Sequence, residues 1–175
     1  MKSLSWLKYK IASKLKNLNK TQILIGLTAL FIGFIIYFFY RYLNSVYLFN
    51  KLFVNALSSS ILNNTEFFKI FVGSLPSLLH VFAFILLTAG VINSKNKLVN
   101  NLICVFWFFI DTIFEFGQKY KYFFCQIVPD WFDKFFILEN FKSYFLKGSF
   151  DIFDILAIIL GTILAKVLLT YFIKY

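Results

Sequence analysis

The chain has 175 residues, 60% of them hydrophobic and only 15% charged, with a mean hydropathy of +0.76. That is more apolar surface than one soluble core of this length can hide, which excludes an ordinary water-soluble domain and makes membrane lipids the first expected partner. The formal net charge of +10 would suit nucleic acid, but six lysines fall in the first twenty positions and the other basic residues are dispersed, so no nucleic-acid partner is expected.

In chain order, Lys2, Lys8, Lys10, Lys14, Lys16 and Lys20 alternate with Leu4, Leu7, Ile11, Leu15 and Leu18, whose 3-4-4-3 spacing makes one apolar helical face. Residues 1–20 therefore read as a basic amphipathic helix on the anionic cytoplasmic leaflet, or as a basic tail that only sets topology. Residues 21–175 read as a single transmembrane domain. Its first span, Gln22 to Tyr40, is too long for a signal-peptide core and leads into Arg41-Tyr42 rather than a cleavage site, so it is an uncleaved anchor. Three further apolar runs reach spanning length: Pro76 to Ile92, Leu98 to Gly117 and Ile152 to Ile173. The expected fold class is all-α, a four-helix transmembrane bundle with interfacial helices in its long loops. Tyr47 to Leu62 is too polar to cross, and Gln118 to Phe150 mixes Pro129, Asp130, Trp131 and Asp133 with irregularly spaced aromatics.

The lysine-rich N-terminus predicts N-in, C-in topology in a plasma membrane, with Lys95 and Lys97 on the inner side. The loop Gln118 to Phe150 argues weakly the other way, with five lysines against three acids. Cys104 lies inside a span and Cys125 in a loop, so neither a disulfide nor a Cys-x-x-Cys site is expected.

Only eight acidic residues occur, yet Asp111, Glu115, Asp151 and Asp154 fall within or at the edge of spans, where ionisable groups are costly and need a reason. Asp111, Glu115 and Gln118 share one face of the third span at 4- and 3-residue steps. Asp151 and Asp154 begin a face of the fourth that continues as Ala157, Gly161 and Ala165, a small-residue stripe for close helix packing. His80, the one histidine, is expected about one turn inside the outer end of the second span, level with Glu115 and Asp154. These three form the candidate site, with Asp111, Gln118 and Asp151 in support. Asp111, a turn deeper than Glu115, is the acid most suited to a neutral, hydrogen-bonded state. Plainer readings stand beside this one: Asp151 and Asp154 as helix caps, Glu115 as an exposed helix end, and His80 as an interfacial residue.

In this region the chain resembles the VanZ-like family of small bacterial membrane proteins. The resemblance rests on a His entering one span (Leu78-Leu79-His80-Val81-Phe82-Ala83-Phe84), on Glu115-Phe116-Gly117-Gln118 ending the next, and on Phe150-Asp151-Ile152-Phe153-Asp154 leading into the last, with Gly161 seven residues on. It covers roughly Pro76 to Tyr171. Ser77 and Ile158 stand where many members have Lys and Asn, and Lys147 is at best a counterpart of the basic residue ahead of the Asp pair. The resemblance implies a cell-envelope protein from a family named for resistance to the glycopeptide teicoplanin, and it supplies no reaction.

Three functions are compatible with these residues: a site that binds or processes an amphiphilic envelope molecule; a non-enzymatic accessory subunit, partnered by another membrane protein, whose polar cluster locks helices together; and a proton-coupled transporter. Whether the chain is an enzyme stays open. No cofactor is expected. The ligand set of His80 and the carboxylates would suit Zn, Mn or Mg, but no metal-binding spacing supports a metal.

Overall fold

The computed structural model describes residues 18–43, 65–129, 131–132 and 141–174. Most of the basic amphipathic segment 1–20 and the interfacial stretch Tyr47 to Leu62 lie outside the described residues.

Six helices are described: α1 (Lys20–Leu43), α2 (Thr65–Ile92), α3 (Lys97–Lys119), α4 (Lys121–Ile127), α5 (Phe141–Lys147) and α6 (Ile152–Lys174). No strand is present among the described residues. Four segments, Lys20–Phe38, Ile70–Ile92, Lys97–Lys119 and Ile152–Phe172, are long and apolar enough to cross a bilayer, and the chain is a multi-span membrane protein. Three spans match the expected positions to within three residues. The second differs: α2 begins at Thr65, eleven residues before the expected start, and Pro76 lies inside it. A proline stops a helix in water because the freed backbone groups prefer solvent. In a membrane segment neighbouring helices and local adjustments re-satisfy those groups, so the helix continues through Pro76; just ahead of it the Ser74 hydroxyl donates back to the Ile70 carbonyl oxygen at 3.1 Å.

The short connection from α2 to α3 is shaped by asparagines. Asn93 takes the left-handed conformation (φ 48°) that ends a helix. Asn96 caps α3, its side chain accepting from the Leu98 N–H at 2.8 Å. Asn19 does the same for α1 through the Gln22 N–H (3.1 Å), and its own N–H donates to the Gly90 carbonyl at 2.9 Å. The start of α1 is thereby fixed to the end of α2, and the two helices run antiparallel.

The core is Val81, Ile85, Leu86 and Ala89 of α2 with Ile103 and Cys104 of α3 and Ile158, Ala165 and Leu169 of α6. The expected stripe of small residues is the α2–α6 seam: Ala157, Gly161 and Ala165 are buried, and a Cβ at Gly161 would collide with the Leu78 carbonyl and stand 2.6 Å from Val81 Cγ1. The opposite faces carry exposed Leu24, Phe31, Phe106, Phe109, Leu160 and Val167, as lipid contact requires. Helix α1 packs along α2 and makes no comparable contact with α3, which leaves a lateral groove between α1 and α3 with α2 as its floor.

The loop Gln118 to Phe150 folds back as α4 and α5, the expected loop helices. Phe145 of α5 is buried, with ring centroids of Phe114, Phe124 and Phe141 at 5.9, 5.4 and 5.3 Å. Gly117 makes room for it, since a Cβ there would lie 2.7 Å from Phe145 Cδ1.

Candidate functional site

The polar residues stack in two layers on the α2 floor. In the deeper one, His80 Nδ1 and Asp111 Oδ2 are 3.0 Å apart, joining α2 to α3. Asp111 is nearly enclosed, whereas 49% of the His80 side chain is accessible. The contact engages Nδ1 and leaves Nε2 as the ring nitrogen open to a further partner.

One turn toward the α4–α5 end, about 5 Å by helix rise, the Ser77 hydroxyl donates to Asp154 Oδ1 at 3.0 Å, joining α2 to α6. Glu115 is in the same layer, within electrostatic reach of Asp154, Asp111 and Asp151. It is 8% exposed, and its Oε2 is enclosed without a hydrogen-bond partner among the described residues. Asp151 is a cap, its Oδ1 accepting from the Phe153 N–H at 2.9 Å, so the plainer reading applies to it. Gln118 Nε2 donates to the Tyr144 hydroxyl at 2.9 Å and ties α3 to α5. Burial first, and then the negative charge of Glu115, push the Tyr144 phenol up to about 12, so it stays protonated near neutrality.

Of these groups, Ser77, His80, Asp111, Glu115 and Tyr144 border a cavity of about 730 Å³ in the α1–α3 groove. Its lining comprises Leu30, Gly33, Phe34 and Tyr37 of α1, Pro76, Ser77, His80 and Phe84 of α2, and Trp107, Ile110, Asp111, Phe114 and Glu115 of α3, with Tyr144 and Ile158. Below the polar layers an aromatic ladder forms part of the wall. The His80 and Phe84 rings are 4.5 Å apart and the Phe84 and Trp107 rings 4.6 Å, with the Trp107 indole N–H donating to Thr88 Oγ1 at 2.9 Å.

Of the expected site residues, His80, Glu115 and Asp111 border one cavity, and Asp154 meets its wall through Ser77. The pairing differs from expectation in one respect: His80 is bonded to Asp111, which is therefore a principal member rather than a supporting one. Ser77, noted in the sequence only as a departure from the family pattern, is the partner of Asp154. Tyr144 and Trp107 gave no local signal, because their places depend on how the loop and α3 fold back. No group of three His, Cys, Asp or Glu side chains is arranged to hold a metal among the described residues.

Comparison of the chain with protein-family models, curated proteins and solved structures finds no match. The VanZ-like resemblance therefore rests on the motifs alone.

Proposed function

We propose that this chain is a VanZ-like cell-envelope protein of the bacterial plasma membrane that binds or processes an amphiphilic envelope molecule, such as a lipid-linked precursor or lipopeptide, in the α1–α3 groove. The observation that carries the reading is the cavity itself: about 730 Å³, walled largely by apolar side chains and bordered at one end by His80, Asp111 and Glu115. Ligand sites have this volume and this ratio of apolar wall to a few convergent polar groups. Ionisable residues within spans mark functional pathways by default. With the lysine-bearing N-terminus and Lys95–Lys97 turn inside, both termini are cytoplasmic and the polar layers lie toward the outer leaflet. If the site is catalytic, His80 Nε2 is the general base, Asp111 orients it, and Glu115 is the second proton-transfer group.

A second reading is favoured by the His80–Asp111 and Ser77–Asp154 bonds, which join α2 to α3 and α6 and would serve a purely structural lock. Glu115 separates the two, because its enclosed oxygen joins no helices. Glu115→Gln should leave the melting midpoint in detergent within a few degrees of wild type while altering glycopeptide sensitivity of cells or the lipid that co-purifies. A large fall in stability with loss of function would favour the lock. No change in sensitivity or co-purifying lipid would refute the ligand-site reading.

A further inference from the structure

The carboxylates around the groove outnumber their cations. Asp111 is bonded to His80, and Asp151 is engaged as a cap. Asp154 has the neutral hydroxyls of Ser77 and Ser74, and Glu115, more than nine-tenths buried and on the cavity wall, has an oxygen with no partner. Buried carboxylates in a low-dielectric setting call for a donor or a counter-charge. Glu115 borders the cavity beside Tyr37, Ser77, His80, Asp111 and Tyr144, and the rest of the wall is apolar.

We infer that the occupant supplies the missing group: the groove selects a membrane amphiphile whose headgroup carries a primary ammonium, seated at Glu115, with its acyl chain running past Phe84 and Trp107. The inference rests on the amphiphile-binding reading and adds the headgroup chemistry. A primary ammonium brings both the charge and the N–H donors that the Glu115 carboxylate on the cavity wall lacks. A glycerol headgroup brings donors without the charge, and a trimethylammonium the charge without donors. The depth is suitable, because Ser77 to Phe84 is seven residues, about 10 Å of helix and so the upper part of an acyl chain.

The test uses the full chain, purified and delipidated in a neutral detergent, and native mass spectrometry to read retention of phosphatidylethanolamine, phosphatidylcholine and phosphatidylglycerol with identical acyl chains. The ammonium–carboxylate contact should favour phosphatidylethanolamine over each of the others by about tenfold, the worth of one charge-assisted hydrogen bond. Glu115→Gln should bring the three lipids to parity, and Glu115→Asp, which keeps the charge, should retain part of the preference and guard against misfolding as the cause. Leu30→Trp, which fills the groove, should abolish retention of all three. Equal or weaker retention of phosphatidylethanolamine by the wild type, with Leu30→Trp still abolishing binding, overturns the headgroup inference and leaves the groove reading standing. Retention of no lipid above the Leu30→Trp level overturns both.

Discussion

Gly161→Ala is the sharpest probe of the packing that holds the site. The added Cβ would meet the Leu78 carbonyl and stand 2.6 Å from Val81 Cγ1, about 1 Å short of ordinary carbon–carbon contact. Leu78 contributes backbone, so no rotamer change relieves the clash and α2 must move away from α6. Overpacking of this kind costs about 1–3 kcal/mol, and the better helix propensity of alanine returns up to about 1. The net loss is about 1–2 kcal/mol, or roughly 3–6 °C in the melting midpoint for a chain of this size. Gly33→Ala is the control: its Cβ would lie 3.2 Å from Leu79 Cβ, needing only a few tenths of an ångström, and its effect should be clearly smaller. The assay is thermal unfolding in one detergent, followed by circular dichroism. A midpoint for Gly161→Ala equal to or above wild type, or below it by no more than Gly33→Ala, would refute the reasoning about the α2–α6 seam.

Topology is open to thiol labelling in a background with Cys104 and Cys125 replaced. A cysteine at Lys147 should react with an impermeant reagent in intact cells and one at Lys95 should not, and the reverse pattern would put the polar layers on the cytoplasmic side. The Tyr144 phenol should ionise late in an alkaline titration read at the tyrosinate absorbance band, and Tyr144→Phe should remove that late component. Because the folded state holds this proton to about pH 12 against roughly 10 for a free phenol, the contribution of Tyr144 to stability is full below pH 10 and declines between 10 and 12. A titration with no late component would count against the seat of α5 at the groove.

The four spans were legible because apolar length is a direct physical requirement of the bilayer. The inward faces of α3 and α6 were legible because burial follows helical periodicity: Asp111 and Glu115, four apart, are both buried, as are Ala157, Gly161 and Ala165. The start of α2 was hidden by Pro76, whose boundary signal is calibrated on helices in water. Pair assignment was out of reach for another reason. That His80 meets Asp111 rather than Glu115 depends on the relative height of two helices, and a shift of one turn exchanges the partners. Ser77 and Asp154 are 77 residues apart, and Tyr144 reaches the cavity only because Phe145 beside it anchors α5 among the phenylalanines.

The one-sided seating of α1 has a mechanical consequence. A helix held along a single line of contact with α2 can roll about that line, and the width of the groove is the quantity such rolling changes. Among the described residues nothing forms the wall opposite the α2 floor, and that side faces what surrounds them, whether acyl chains or a detergent belt. The solvent is thus a component of the fold, and its lateral pressure and chain length set the shape of the cavity as surely as any side chain does. Properties measured in a micelle and in a bilayer of defined thickness should accordingly diverge most for α1 and the groove beside it, and least for the core shared by α2, α3 and α6.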